Sequence, residues 1–218
     1  PAEQNARFGR WLATSDLNND GYYDIVVGEP FANTGLRDNG EAQFFFGGPG
    51  QFDTTADAIV TKIPAEDSAV FGRRIASCDI NNDGFGDAIV TAFQADNLAN
   101  NNGEAQIFFG RAGTIPDNKV DVVITKDPGE GGANFGVGVA CGNVNGDDFN
   151  DIIVGVHSAD NGQIDNGEVS IIFGGTGTFA PDSDGDGITE DIDNCHDAVN
   201  PGQEDTDNDT IGDVCDTL

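Results

Sequence analysis

The sequence predicts an all-β chain: three four-stranded antiparallel blades of the propeller type, too few to close a ring, followed by a small irregular tail. Three observations predict it. Phe-Gly opens three copies of one unit at Phe8, Phe71 and Phe135, 63 and 64 residues apart. Short runs of β-branched and aromatic residues alternate within each copy with connections rich in Gly, Asn and Asp. No segment carries a convincing helical period. Repetition at several tens of residues with four short strands per copy is the pattern of propeller blades, and it favours blades over a generic meander or sandwich of strands.

Each unit reads in the same order. A first strand follows Phe-Gly, over residues 10–14, 73–77 and 137–141. An acidic loop comes next, and a second strand starts at Asp24, Asp87 or Asp151. A polar loop of about a dozen residues leads to a third strand at 40–46, 103–109 or 167–173, which breaks at Gly. Units one and two add a fourth strand at 57–62 and 120–125, whereas the third runs from Thr176 straight into acidic sequence. The expected boundaries are 1–62, 63–126 and 127–178 for the blades and 179–218 for the tail.

The acidic loops carry the chemistry. Asp16, Asn18, Asp20 and Asp24 occupy positions 1, 3, 5 and 9 of the first; Asp79, Asn81, Asp83 and Asp87 of the second; Asn143, Asn145, Asp147 and Asp151 of the third. Two related runs lie in the tail, at 182–191 and 205–213. Oxygen ligands at this spacing suit a hard cation, and calcium takes six to eight of them in flexible geometry. Two carboxylates about 4 Å apart near a surface repel by roughly 4 kcal/mol, so such loops are costly to fold without a counterion.

Composition narrows the partners. The chain has 218 residues, 39 acidic and 9 basic, for a formal charge of −30. A nucleic-acid binder needs a basic footprint, and an anionic membrane needs a polybasic patch; the sequence offers neither. No stretch is long and apolar enough for a transmembrane helix. The lack of Met reads as a processed product or an excised fragment. Calcium loops together with paired cysteines point to an extracellular or cell-surface setting.

Phe-Gly, the Asp/Asn loop, Gly28-Glu29-Pro30 and the Gly-x-x-x-Phe-Phe strand together resemble FG-GAP repeats, the blades of the integrin alpha-subunit propeller and of many bacterial surface proteins. The resemblance spans about residues 1–178. It implies that the acidic loops bind calcium through the residues named above, with the backbone carbonyls of Tyr22, Phe85 and Phe149 at position 7. The Gly-Ala-Pro signature is degraded to Thr91-Ala92-Phe93 and Gly155-Val156-His157, a change confined to a turn. In the third loop Asn143 removes a charge and Asp148 replaces the Gly of the sharp turn, so this site is expected to be the weakest.

The tail resembles a thrombospondin type 3 repeat, in which the chain wraps around calcium instead of an apolar core. The order of Asp, Cys, Asn-Pro and Gln matches from 182 to 216; His196 and Thr210 depart from it, standing where Pro and Gly are usual. The resemblance implies ligands from Asp182, Asp184, Asp186, Glu190, Asp191 and Asp193, then Asp205, Asp207, Asp209, Asp213 and Asp216, for about five calcium sites in all. A tail this poor in apolar residues needs metal and disulfide for order. Cys195 and Cys215 would close a loop worth roughly 3 kcal/mol in chain entropy. Cys78 and Cys141 fall near the ends of equivalent strands, one residue out of step, and their pairing is left open.

The leading functional reading is a non-enzymatic, calcium-stiffened extracellular structural or adhesion module. With three blades and open faces, it is expected to self-associate, in the limit as a filament, or to dock on another extracellular protein. One alternative is an accessory domain of a secreted hydrolase or lyase. His157 and His196 are the only imidazoles, and no Ser or Cys is visibly poised with His157. A second alternative is glycan binding at the polar loops 33–39, 96–102 and 158–166. Asn208-Asp209-Thr210 matches a glycosylation sequon but falls inside a proposed calcium loop, and no Arg-Gly-Asp is present.

Overall fold

The computed structural model describes residues 5–50, 54–96, 98–113, 119–126, 129–160 and 163–175, together with 194, 195, 198, 204–206 and 211–216 of the tail. The described elements are all strands. The first sheet is β1 (Trp11–Ser15), β2 (Asp24–Glu29), β3 (Glu41–Phe45) and β4 (Ala58–Thr61), antiparallel in sequence order. The second repeats it with β5 (Arg74–Cys78), β6 (Asp87–Ala92), β7 (Glu104–Phe108) and β8 (Val122–Thr125). The third has β9 (Gly138–Gly142), β10 (Asp151–Val156) and β11 (Glu168–Ile172), and no fourth strand among the described residues. The registers are equivalent: Ser15 faces Asp24, and Cys78 faces Asp87. First strands start one residue later than the Phe-Gly spacing suggests.

The apolar core lies between the sheets. Phe44, Phe71 and Phe108 fill the first boundary with Val26, Val90 and Leu17. Ile89, Ile107, Phe135, Ile152 and Val154 fill the second. Phe71 and Phe108 meet edge to face with ring centroids 6.3 Å apart, a geometry favourable to the ring quadrupoles.

Phe-Gly plugs each blade into the one before it. Phe71 forms a parallel bridge to Gly40, and Phe135 to Gly103. The amides of Ser68, Val70 and Phe71 donate to the carbonyls of Arg37, Asp38 and Asn39; those of Gly132, Asn134 and Phe135 donate to Asn100, Asn101 and Asn102. Side chains close the seat, because Asn39 Oδ1 accepts the Glu66 amide and Asn102 Oδ1 accepts that of Glu130, both at 2.8 Å. Gly is required there: a Cβ on Gly40 would stand 2.1 Å from the Phe71 carbonyl oxygen, and one on Gly103 2.3 Å from that of Phe135. Two of the three polar loops considered for glycans therefore spend backbone and side-chain groups on holding the next blade.

Cys78 and Cys141 are joined, with Cα atoms 6.4 Å apart, as are Cys195 and Cys215, at 5.7 Å. Both separations lie within the span of a disulfide. The first bond staples the packed strands β5 and β9 of neighbouring blades, so the one-residue offset in sequence did not prevent pairing. Both cysteines sit within a residue of a strand end, where facing alternation constrains least.

Candidate cation-binding loops

Each acidic loop joins the first two strands of its blade, and its last carboxylate pins it there. Asp24, Asp87 and Asp151 are fully buried at the start of the second strand. One oxygen of each accepts the amide at loop position 2: Leu17 at 2.8 Å, Ile80 at 2.8 Å and Val144 at 2.7 Å. The other accepts the amide of the Gly that ends the third strand: Gly47 at 2.8 Å, Gly110 at 2.9 Å and Gly174 at 3.1 Å. In the tail, Asp213 accepts the amide of Thr206, also at position 2, at 2.7 Å. One carboxylate thus ties loop, strand and strand end together. The glycines were the missed partners, and their recurrence at the strand break was the available signal.

The rest of the loop coils inside this clamp. Asp16 accepts the amides of Asp20 and Gly21, at 3.0 and 2.8 Å, Asn18 Oδ1 accepts that of Asp20, and Asp20 accepts that of Tyr22. The second loop reproduces all four contacts with Asp79, Asn81 and Asp83 accepting from Asp83, Gly84 and Phe85. Left-handed backbone at Asn19 and Gly21, and at Asn82 and Gly84, makes the coil possible. The third loop is built differently. Its left-handed residue is Gly146 at position 4, and Asp148 does not adopt a positive φ. Asn143 Oδ1 accepts the Gly146 amide at 2.6 Å instead, and its Nδ2 donates to the Asp147 carbonyl. The two substitutions singled out in the sequence are thus the ones that reshape the loop.

Successive loops are also linked. The Asp16 carbonyl accepts the Gly86 amide at 2.7 Å, and the Asp79 carbonyl accepts Asn150 Nδ2 at 2.7 Å.

The electrostatics are one-sided. No ion pair among the described residues involves Asp16, Asp20, Asp79, Asp83 or Asp147. Burial pushes the Asp87 carboxyl up to about 7; its two amide contacts oppose this, and the charges of Asp83 and Asp79 add to it. Asp24 is raised for the same reasons, burial first. A cation would offset both burial and repulsion. The donor set fits a hard cation: three side-chain oxygens on one coil, and a buried carboxylate at its base. Among the described residues no three Asp, Glu, His or Cys side chains converge as a metal cage. The loop carboxylates turn instead to backbone amides, and Asn18 Nδ2 and Asn81 Nδ2 donate to Asp20 and Asp83.

In the tail, Asp205, Asp213 and Asp216 lie among the described residues; Asp182, Asp184, Asp186, Glu190, Asp191, Asp193, Asp207 and Asp209 lie outside them. The described pieces are held together by Gly212 donating to the Asn194 carbonyl and Asp213 to that of Glu204. The Thr206 hydroxyl, then its amide, hold the Asp213 carboxyl below the usual range. His157 lies exposed with Ser158 Oγ 3.3 Å from its Nδ1. The two are adjacent in the chain, and among the described residues no carboxylate bonds to His157.

Comparison with known proteins agrees with the repeat architecture. Residues 8–45 match the FG-GAP repeat. The chain is similar to integrin alpha-PS5 of Drosophila melanogaster, at 32% identity over 70% of this chain and 15% of that protein. It is similar to integrin alpha-7 of Mus musculus, at 30% over 68% of this chain and 12% of the relative. Phosphatidylinositol-glycan-specific phospholipase D of Rattus norvegicus is 26% identical over 77% of this chain and 20% of that enzyme. The chain thus spans a fifth or less of the length of these relatives. The likeness supports the FG-GAP-type repeat.

Proposed function

We propose that the chain is a calcium-stiffened, non-enzymatic module of an extracellular surface, serving adhesion or structure by binding another protein or further copies of itself. The observation that carries the reading is the shared clamp of Asp24, Asp87, Asp151 and Asp213 on the position-2 amide. In the blades the clamp presents clustered carboxylates, of which Asp16, Asp20, Asp79, Asp83 and Asp147 make no ion pair among the described residues, at a cost that a divalent cation would remove. The ligands would be the oxygens at positions 1, 3, 5 and 9 and the position-7 carbonyl of each blade loop. The tail would add sites of thrombospondin type 3 character. Bound cations would supply charge neutralisation and rigidity, so that metal binding energy appears as folding energy. Two disulfides and the similarity to integrin alpha chains support the extracellular setting.

Calcium titration by calorimetry into chelator-stripped protein tests this. Binding at several sites is expected, with one site fewer in Asp20→Asn and one fewer in Asp83→Asn. Absence of calcium heat in the parent chain at millimolar concentration overturns the reading.

A further inference from the structure

The two ends of the blade stack carry the two halves of one joint. In both internal joints, a segment with left-handed backbone three residues and one residue before Gly's partner Phe docks on a seat with its own left-handed residues. Ser68 (φ 63°) and Val70 (φ 54°) precede Phe71; Gly132 (φ 83°) and Asn134 (φ 60°) precede Phe135. The seats carry Asp38 and Gly40 (φ 50° and 83°), or Asn101 and Gly103 (φ 50° and 84°).

The first blade presents the same plug with its ring exposed. Asn5 (φ 68°) and Arg7 (φ 61°) precede Phe8, which is 54% exposed where Phe71 and Phe135 are 0% and 1%. Leu12 is exposed where its equivalent Ile75 is buried. The third blade presents the same backbone seat beside exposed apolar side chains. Asp165 and Gly167 have φ of 51° and 76°. Val169 is 65% exposed where Ala42 and Ala105 are 0%, and Ile171 is exposed where Phe44 and Ile107 are buried. Left-handed backbone at non-Gly residues is uncommon and costs about 1–3 kcal/mol per residue where it is strained. Here it is already in place on both faces, so docking needs little reorganisation.

We propose that Phe8 and Gly9 of one copy plug into the Asp165–Val169 seat of a second copy, continuing the two internal joints from chain to chain. This deepens the self-association part of the proposed function and does not depend on calcium. The contact is head to tail, so it propagates as a ring or a filament. It lacks one feature of the internal joints. Lys62 reaches Glu104 and Lys126 reaches Glu168 across those boundaries, but no Lys follows Lys126 in the sequence to serve the buried Glu41 of the next copy. The joint is therefore weaker than the internal ones and reversible.

The test is sedimentation velocity of the full 218-residue chain over a wide concentration range, with melting curves recorded alongside. Mass is expected to rise with concentration. Phe8→Ser and Val169→Asp change exposed side chains at opposite ends, and each should weaken association at least tenfold with its melting midpoint kept. An equimolar mixture of the two retains one good plug and one good seat, and should stop at pairs. A monomer at every concentration assigns the bare faces to some other occupant and overturns the proposal, as do single variants that associate like the parent. Calcium dependence of the melt reads out the cation reading separately, since association in chelator would leave this joint standing without it.

Discussion

Lys62 and Glu104 meet across the boundary between the first two blades, Nζ to Oε1 at 3.5 Å, with 1% of each side chain exposed. Lys126 and Glu168 repeat the contact at the next boundary, at 2.8 Å. The lysine leaves the end of one blade's fourth strand and finds the glutamate that opens the next blade's third. Lys62 is held further by Glu66 at 3.0 Å and the Pro64 carbonyl at 3.0 Å.

Removing the lysine leaves Glu104 buried without its cation, whereas Lys62 would keep Glu66 and the Pro64 carbonyl if Glu104 were lost. Lys62→Ala is expected to cost about 3 kcal/mol, while replacing both Lys62 and Glu104 by Met and Leu should come out near neutral, because the desolvation penalty disappears with the pair. Urea denaturation of the two variants against the parent measures both.

The Phe-Gly plug sets a second contrast. Phe71→Ala empties a buried site and is expected to cost about 3–5 kcal/mol. Phe8→Ala changes an exposed ring and should fall under about 1 kcal/mol. Equal losses in denaturant unfolding would deny that Phe71 is the joint between blades.

The repeat, the strands and the acidic loops were legible because each is written as residue type at fixed spacing. The seats were not, since a polar loop such as 33–39 looks like any solvated connection until Phe71 is seen lying along Asn39 and Gly40. The Cys78–Cys141 bond was undecidable from strand periodicity because it joins different sheets. Position 9 was read as a metal ligand, while its second task, holding Leu17 and Gly47, depends on a strand end 23 residues away.

Loop three should bind cation most weakly. Asn143 contributes no charge, and Asp148 does not make the left-handed turn that Gly21 and Gly84 make, a conformation less favourable for Asp than for Gly. Calorimetry on variants that leave one blade loop intact should rank the third last; a third loop that binds tightest contradicts the geometric reading.

Acid should help the cation-free protein. Asp87 has its folded value raised from 3.8 to about 7 by burial first. The folded state therefore holds a proton that the unfolded state has released over that interval. The contribution to stability is fully present below about pH 4 and is lost as pH rises through about 7. In chelator, the melting midpoint at pH 5 should exceed that at pH 7.5. Calcium favours the ionised carboxyl, so with calcium present the difference should shrink or change sign.

Thermal melting at pH 7.5 with millimolar calcium and with excess EDTA tests the cation reading most directly. A midpoint lowered by more than about 10 °C in EDTA is the expected result, a ligand linkage of several kcal/mol at saturating metal. Coincident curves would contradict it, because clustered carboxylates would then be carried by the fold without a counterion.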